Sequence, residues 1–215
     1  MTPYGMIVEW DGLLDRIDGD IENLLLRRYV FREVRTIVDS NPRLHKPSIF
    51  YEWMTSTYAA SAIMTLRRQA DQGKDAVSLW KLLMGIREHA EVLTRIRHVA
   101  FYDTSIAGIG EREFDELAGI GQPYMDSRRV QTDATSLQHV TEKLRDYATK
   151  RIAHTLDTAP KQIPTFTDLD AAIDLVEVLT KKYKLLIRGQ GGDILPTVAF
   201  PWKAIFTETW IPPSA

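Results

Sequence analysis

The chain contains no cysteine in its 215 residues. Disulfide scaffolds, thiolate zinc sites and cysteine nucleophiles are therefore excluded together. It also lacks any run approaching the ~18 continuous apolar residues that a membrane-spanning helix needs, so no membrane partner is expected. The segment Met1 to Asp15 carries Glu9, Asp11 and Asp15 and has no basic start followed by an apolar stretch, unlike a signal peptide. The expectation is a soluble, cytoplasmic protein. Neither sign of charge dominates. Lys and Arg number 27 against 29 Asp and Glu, a formal net charge of -2, which argues against coating nucleic acid by bulk electrostatics. A local basic cleft stays open, because the field there depends on arrangement. No acidic residue combines with histidine in a Glu-x-x-His or His-Glu-x-x-His pattern, so neither a metal nor another cofactor is expected.

What the chain does have is helical periodicity. Hydrophobic residues make up 44% and charged residues 26%, ordinary for a globular protein and unlike a disordered one. The length suits one sizeable core, hence a single domain over 1–215. Ile21, Leu24, Leu25, Val30, Phe31 and Val34 predict a helix over about Gly19 to Asp39, ended by Asn41-Pro42. A helix over Trp10 to Arg16 is left open. A second long helix is expected from Pro47-Ser48 to Asp71. A third starts at the N-cap Ser78, with Val77 and Leu82 spaced as a hydrophobic staple, and continues through Glu91 to Ala100.

From about 101 to 132 the pattern weakens. Ala-Gly-Ile-Gly occurs at Ala107 to Gly110 and again at Ala118 to Gly121, read as two helix-flanking turns. Helices over about Thr135 to Asp157 and from an N-cap at Thr167, with Asp170 at its third position, to Arg188 follow. A short amphipathic end-piece spans Trp202 to Trp210. Helix after helix without a period-2 run predicts an all-α fold, an antiparallel bundle of about five to seven helices.

One segment suggests chemistry. At ~100° per residue, Leu137, Val140, Leu144, Ala148 and Ile152 form an apolar stripe. Tyr147, Lys150, Arg151 and His154 fall along one side of it, with Lys143. Cations around a histidine keep it neutral and able to act as a base. Lys150 and Arg151 could hold a phosphate, the arginine with two parallel hydrogen bonds. The bland alternative is cations snorkelling at the rim of a packed helix or favoured at its C-terminus. Arg67, Arg68 and Asp71 form another cluster, for which an intrahelical ion pair is expected. Its functional version brings one arginine to the His154 cleft. The five tryptophans are expected to be core or interface anchors.

The run Tyr147-Ala-Thr-Lys150-Arg151-Ile-Ala153-His154, then Asp157, resembles the signature helix of the HEPN superfamily in its abortive-infection, AbiU-like branch. Leu66-Arg67-Arg68-Gln-Ala-Asp71 followed by Ser78-Leu79-Trp80-Lys-Leu82-Leu83 is similar to that branch's central block. So are Pro164-Thr-Phe-Thr-Asp-Leu169 leading to Lys182-Tyr183, and Trp202-Lys-Ala-Ile-Phe206 with Trp210. The resemblance implies a helical bundle forming a homodimer, with Arg/His helices facing across a cleft. It implies a toxin or antiphage effector acting as a metal-independent endoribonuclease, with His154 as general acid/base and Tyr147, Lys150 and Arg151 beside it. Lys143, Arg67 and Arg68 would bind RNA, and a cognate antitoxin protein would be a partner. Other members only bind nucleotides or partners.

The sequence departs from the family's Arg-x(4 to 6)-His motif. Tyr147, Ala148 and Thr149 occupy the arginine positions before His154, and the same windows before His45, His89, His98 and His139 also lack arginine. Arg145, nine residues before His154, falls on the opposite face of a regular helix. The alternative to a nuclease is therefore a non-catalytic helical dimer that binds a nucleotide, RNA or a partner. A third reading is structural, with the Arg/His helix packed at the interface.

Overall fold

A computed structural model describes residues 1–153 and 157–210. Among these, seven α-helices and several short helical turns make an all-α bundle with no strand. Helix α1, Pro3–Ser40, is one continuous rod of 38 residues rather than a helix starting at Gly19. Pro3 sits at its start, where a missing N–H is harmless, and Thr2 accepts from the Gly5 amide at 3.1 Å. Trp10, Leu13, Leu14 and Ile17 are buried, so tertiary packing outweighs the weak helix propensity of Gly5, Gly12 and Gly19. Helix α2, Ile49–Gln69, ends two residues before the expected Asp71.

Helix α3, Leu79–Glu88, begins at the expected cap, where Ser78 accepts from the Lys81 amide at 3.1 Å. It does not continue to Ala100. The chain turns at Ala90–Val92 and restarts as α4, Arg95–Val99, capped by Thr94. Backbone bonds from Arg95 to Pro123 (2.9 Å) and from Met125 to Leu93 (3.0 Å) tie this restart to the loop before α6. The weakly patterned stretch contains α5, Ala107–Ala118. The first Ala-Gly-Ile-Gly is its opening turn, and the second supplies its C-terminal Gly119 at φ 120°.

Helix α6, Ser127–Tyr147, starts eight residues before the expected Thr135, because Asp126 caps it and Val130 and Ala134 already reach the core. Its end widens into a π-helical turn, Ala148–Ala153. Helix α7, Phe166–Arg188, is capped by Thr165 rather than Thr167. Thr165 and Asp168 form a reciprocal capping box. The same Thr-x-x-Asp spacing occurs at both places, and the earlier one brings Phe166 onto Phe31, 5.6 Å away.

Helix α6 packs on α3, α2 and α7, and α1 packs on α7, α2 and α3. Leu14, Ile17, Ile21, Leu82, Leu83, Leu137, Leu144, Ile173 and Val176 are fully buried in one core. Among the described residues, no helix is long and apolar enough to cross a membrane.

Candidate functional site

The C-terminal end of α2 lies beside α6, where Gln138 and Arg145 reach Ala70, and between the two helices opens a groove of about 910 Å³. Arg67 and Asp71 line it from the α2 end. His139, Glu142, Lys143, Arg145 and Asp146 line it from α6. Lys161 and Asp168 close it from the segment entering α7. Arg145 is fixed across the helix ends by bonds to the Gln138 side chain and, at 3.5 Å, to the Ala70 carbonyl. Gln138 donates to the same carbonyl at 3.0 Å. That carbonyl is one of the orphan acceptors at the end of α2, so Arg145 also caps the helix.

The carboxylates are mostly committed. Asp168 accepts from Lys143 at 2.8 Å and from the Thr165 amide and hydroxyl, both at 2.7 Å. These bonds, led by the Lys143 contact, hold its pKa down at about 2. Asp146 pairs with Lys150 at 2.8 Å and accepts from the Lys161 amide at 2.8 Å, which together lower its pKa. Asp71 accepts from the Gly73 amide at 2.8 Å. Of the cations, Arg67 and the Lys161 side chain have no hydrogen bond or salt bridge among the described residues, and Arg145 bonds only neutral groups. Two guanidinium forks thus face a cavity without a carboxylate salt bridge.

The sequence-derived site is partly rearranged. His154 lies outside the described residues, so its expected role as acid/base stays untouched by the geometry. Lys143 and Arg67 line one groove, while the expected approach of an arginine to His154 lies outside the described residues. Tyr147 instead packs against the core, half-buried, and Lys150 is tied to Asp146 and to the Ala159 carbonyl at 3.3 Å. Arg151 is exposed, and neither it, Lys150 nor Tyr147 lines the groove. The shared face was drawn at ~100° per residue. A π turn has more residues per turn, so that face is not kept through Ala148–Ala153.

Arg68 does not pair with Asp71. It reaches Asp20 on α1 at 3.2 Å, where Gln69 also donates at 3.0 Å, because α2 stops at Gln69 and Asp71 leaves the helix. Arg145, set aside as facing away from His154, is a groove residue, and so is His139. His139 could have been found: it precedes Lys143 by four residues, one helical turn. Of the tryptophans, Trp10 is buried, but Trp53 and Trp210 are about 60% exposed (59% and 60%) and anchor no core.

The chain matches no family model, no curated protein and no solved structure. Among the described residues no group of three His, Asp or Glu side chains could hold a metal ion. The arrangement offers fixed and free cations beside an exposed imidazole, suited to a phosphate-bearing ligand.

Proposed function

We propose that the protein is an RNA-binding effector of the HEPN, abortive-infection type, with the groove between α2 and α6 as its phosphate site. The observation carrying this reading is that Arg67, Arg145 and Lys161 line one cavity and none is in a salt bridge with a carboxylate among the described residues. A phosphodiester accepts two parallel hydrogen bonds from a guanidinium. Arg145 is held in place before the ligand arrives, which lowers the ordering cost of binding. Lys143 is paired with Asp168 and shapes the wall. The test is fluorescence anisotropy with a labelled single-stranded RNA. Saturable binding weakened about tenfold or more by Arg67→Ala supports the reading. Binding that ignores both Arg67→Ala and Lys161→Ala sinks it.

Endonucleolytic cleavage is the second reading, favoured by His139 lining the groove that holds Arg67 and Arg145. The ribose 2′-hydroxyl would attack the adjacent phosphorus while a histidine, His154 or His139, takes its proton. The leaving 5′-oxygen is protonated, a cyclic phosphate remains, and the arginines stabilise the phosphorane charge. Purified protein in EDTA should then cut RNA to cyclic-phosphate ends and lose activity in His154→Ala or His139→Ala. Intact RNA at high concentration of folded protein leaves binding as the function. A homodimer across this groove and a cognate antitoxin protein belong to the same proposal. Light scattering tests the homodimer, and identification of proteins co-purifying with the chain tests the antitoxin.

A further inference from the structure

The chain leaves the bundle after α3 and rejoins it at the same place. The Arg95 amide donates to the Pro123 carbonyl at 2.9 Å and the Met125 amide to the Leu93 carbonyl at 3.0 Å, so residues 96–122 are an excursion with tied ends. It carries most of α4 and then α5, which packs on α4 and on α7. The excursion is fastened to the C-terminal end of α7. The Arg97 guanidinium donates to the Leu186 carbonyl at 2.9 Å and to the Ile187 carbonyl, and the Phe101 ring lies against Gly189. Those carbonyls are acceptors left over at a helix end, so Arg97 caps α7 from outside the helix.

His98 sits inside this excursion, fully buried, with the rings of Phe101, Tyr102 and Phe114 at 6.0, 5.8 and 5.5 Å. Its Nε2 meets Glu113 of α5 at 2.8 Å, and the same carboxylate oxygen accepts from the Tyr102 hydroxyl. Pairing with a carboxylate places the ring proton on Nε2. Nδ1 is then a bare lone pair, buried and without a partner among the described residues. The charged and titratable groups facing the imidazole there are Glu113 from α5, Tyr102 from the turn after α4, and Arg95 and Arg97 from α4 itself. Helix α7 contributes the carbonyls that hold Arg97. A second proton would have to enter at Nδ1, where no acceptor meets it. Packing accounts for a ring here, but Phe would pack without an orphaned nitrogen, and a buried polar atom without a partner costs stability.

We propose that residues 96–122 form an acid-released latch on the end of α7, with His98 as its proton sensor. In the closed latch the imidazole is neutral. Opening carries it into water, where Nδ1 takes a proton and finds acceptors. Burial first, then Arg97 and Arg95, hold the His98 pKa below its ordinary 6.5 against the opposing pull of Glu113. The open form therefore binds the proton more readily, so closure is complete above about 6.5 and weakens as pH falls below that value. The tied ends let this unit open as one local cooperative piece while α1, α2, α6 and α7 stay packed. The latch lies at the opposite end of α7 from Asp168 and the groove, and it does not rest on RNA binding.

Hydrogen exchange of the full chain, read by mass spectrometry at pH 7.5, 6 and 5 and corrected for the intrinsic rate at each pH, tests the proposal. At pH 7.5 the hydrogen-bonded amides of α4 and α5 should exchange at least about tenfold faster than those of α1 and α6. Their protection should then fall by up to about 30-fold at pH 5, the proton uptake of an exposed imidazole titrating at 6.5. Asp103 and Asp115, held below the ordinary 3.8, stay ionised across that range. His98→Gln keeps a donor to Glu113 and cannot titrate, so the fall should vanish. Glu113→Gln should keep the fall, which separates the histidine from its carboxylate partner and serves if His98→Gln folds poorly. The proposal is overturned if α4 and α5 are as protected as α1 and α6, or if their protection in the parent is the same at pH 7.5 and 5. It is equally overturned if His98→Gln responds to pH like the parent, or if Glu113→Gln loses the response.

Discussion

Lys143 on α6 and Asp168 on α7 meet at 2.8 Å, and the same carboxylate closes the capping box that starts α7. One aspartate therefore fixes a groove wall, a helix start and the junction of two core helices.

The pH dependence follows from its lowered pKa. Asp168 titrates at about 2 in the folded protein against an ordinary 3.8. Its contribution is complete above the unfolded value and is lost as pH falls from about 4 towards 2. Asp168→Ala should lower stability at neutral pH by about 1 kcal/mol through the lost cap. It should also flatten the acid limb between those values, read by denaturant melts from pH 2 to 5.

His98 gives a second, milder acid sensitivity. It is 1% exposed, its Nε2 meets Glu113 at 2.8 Å, and its Nδ1 has no partner among the described residues. Burial lowers its pKa, partly offset by Glu113. The unfolded chain then binds the proton more readily, so stability is full above about 6.5 and declines as pH falls below that value. His98→Gln should remove the decline between pH 6.5 and 5 in thermal melts. An unchanged slope would contradict this assignment.

Gly189 ends α7 at φ 66°, and a Cβ there would lie 2.6 Å from Phe101 Cδ2. Gly189→Ala combines left-handed strain with a clash. It should cost about 1–3 kcal/mol, a fall of several degrees in Tm for a domain of this size. Gly12→Ala, with open space around its Cβ and helical backbone, should be neutral or slightly stabilising in the same melt.

The bundle was legible because buried positions repeat at helical spacing: Leu169, Ile173, Val176, Leu179 and Tyr183 are all in the core. Helix ends were less so. Thr165 and Thr167 each begin a Thr-x-x-Asp pattern, and only the packing of Phe166 on Phe31 and Tyr58 separates them. Lys143 and Arg67 fall in one groove, but the π turn spoils the face drawn through Tyr147, Lys150 and Arg151. Arg145 was set aside and His139 given no site role because periodicity along one helix says nothing of how a neighbouring helix end, here at Ala70, builds the opposite wall.

The measurement that tests the central claim most directly is the salt dependence of RNA binding for the parent and Arg67→Ala. Each phosphate contact adds about 0.7 to the slope of log affinity against log salt for a single strand. The groove account predicts that Arg67→Ala weakens binding about tenfold or more and lowers the slope by about one contact, with the fold intact. Identical affinity and slope in the two proteins would contradict it.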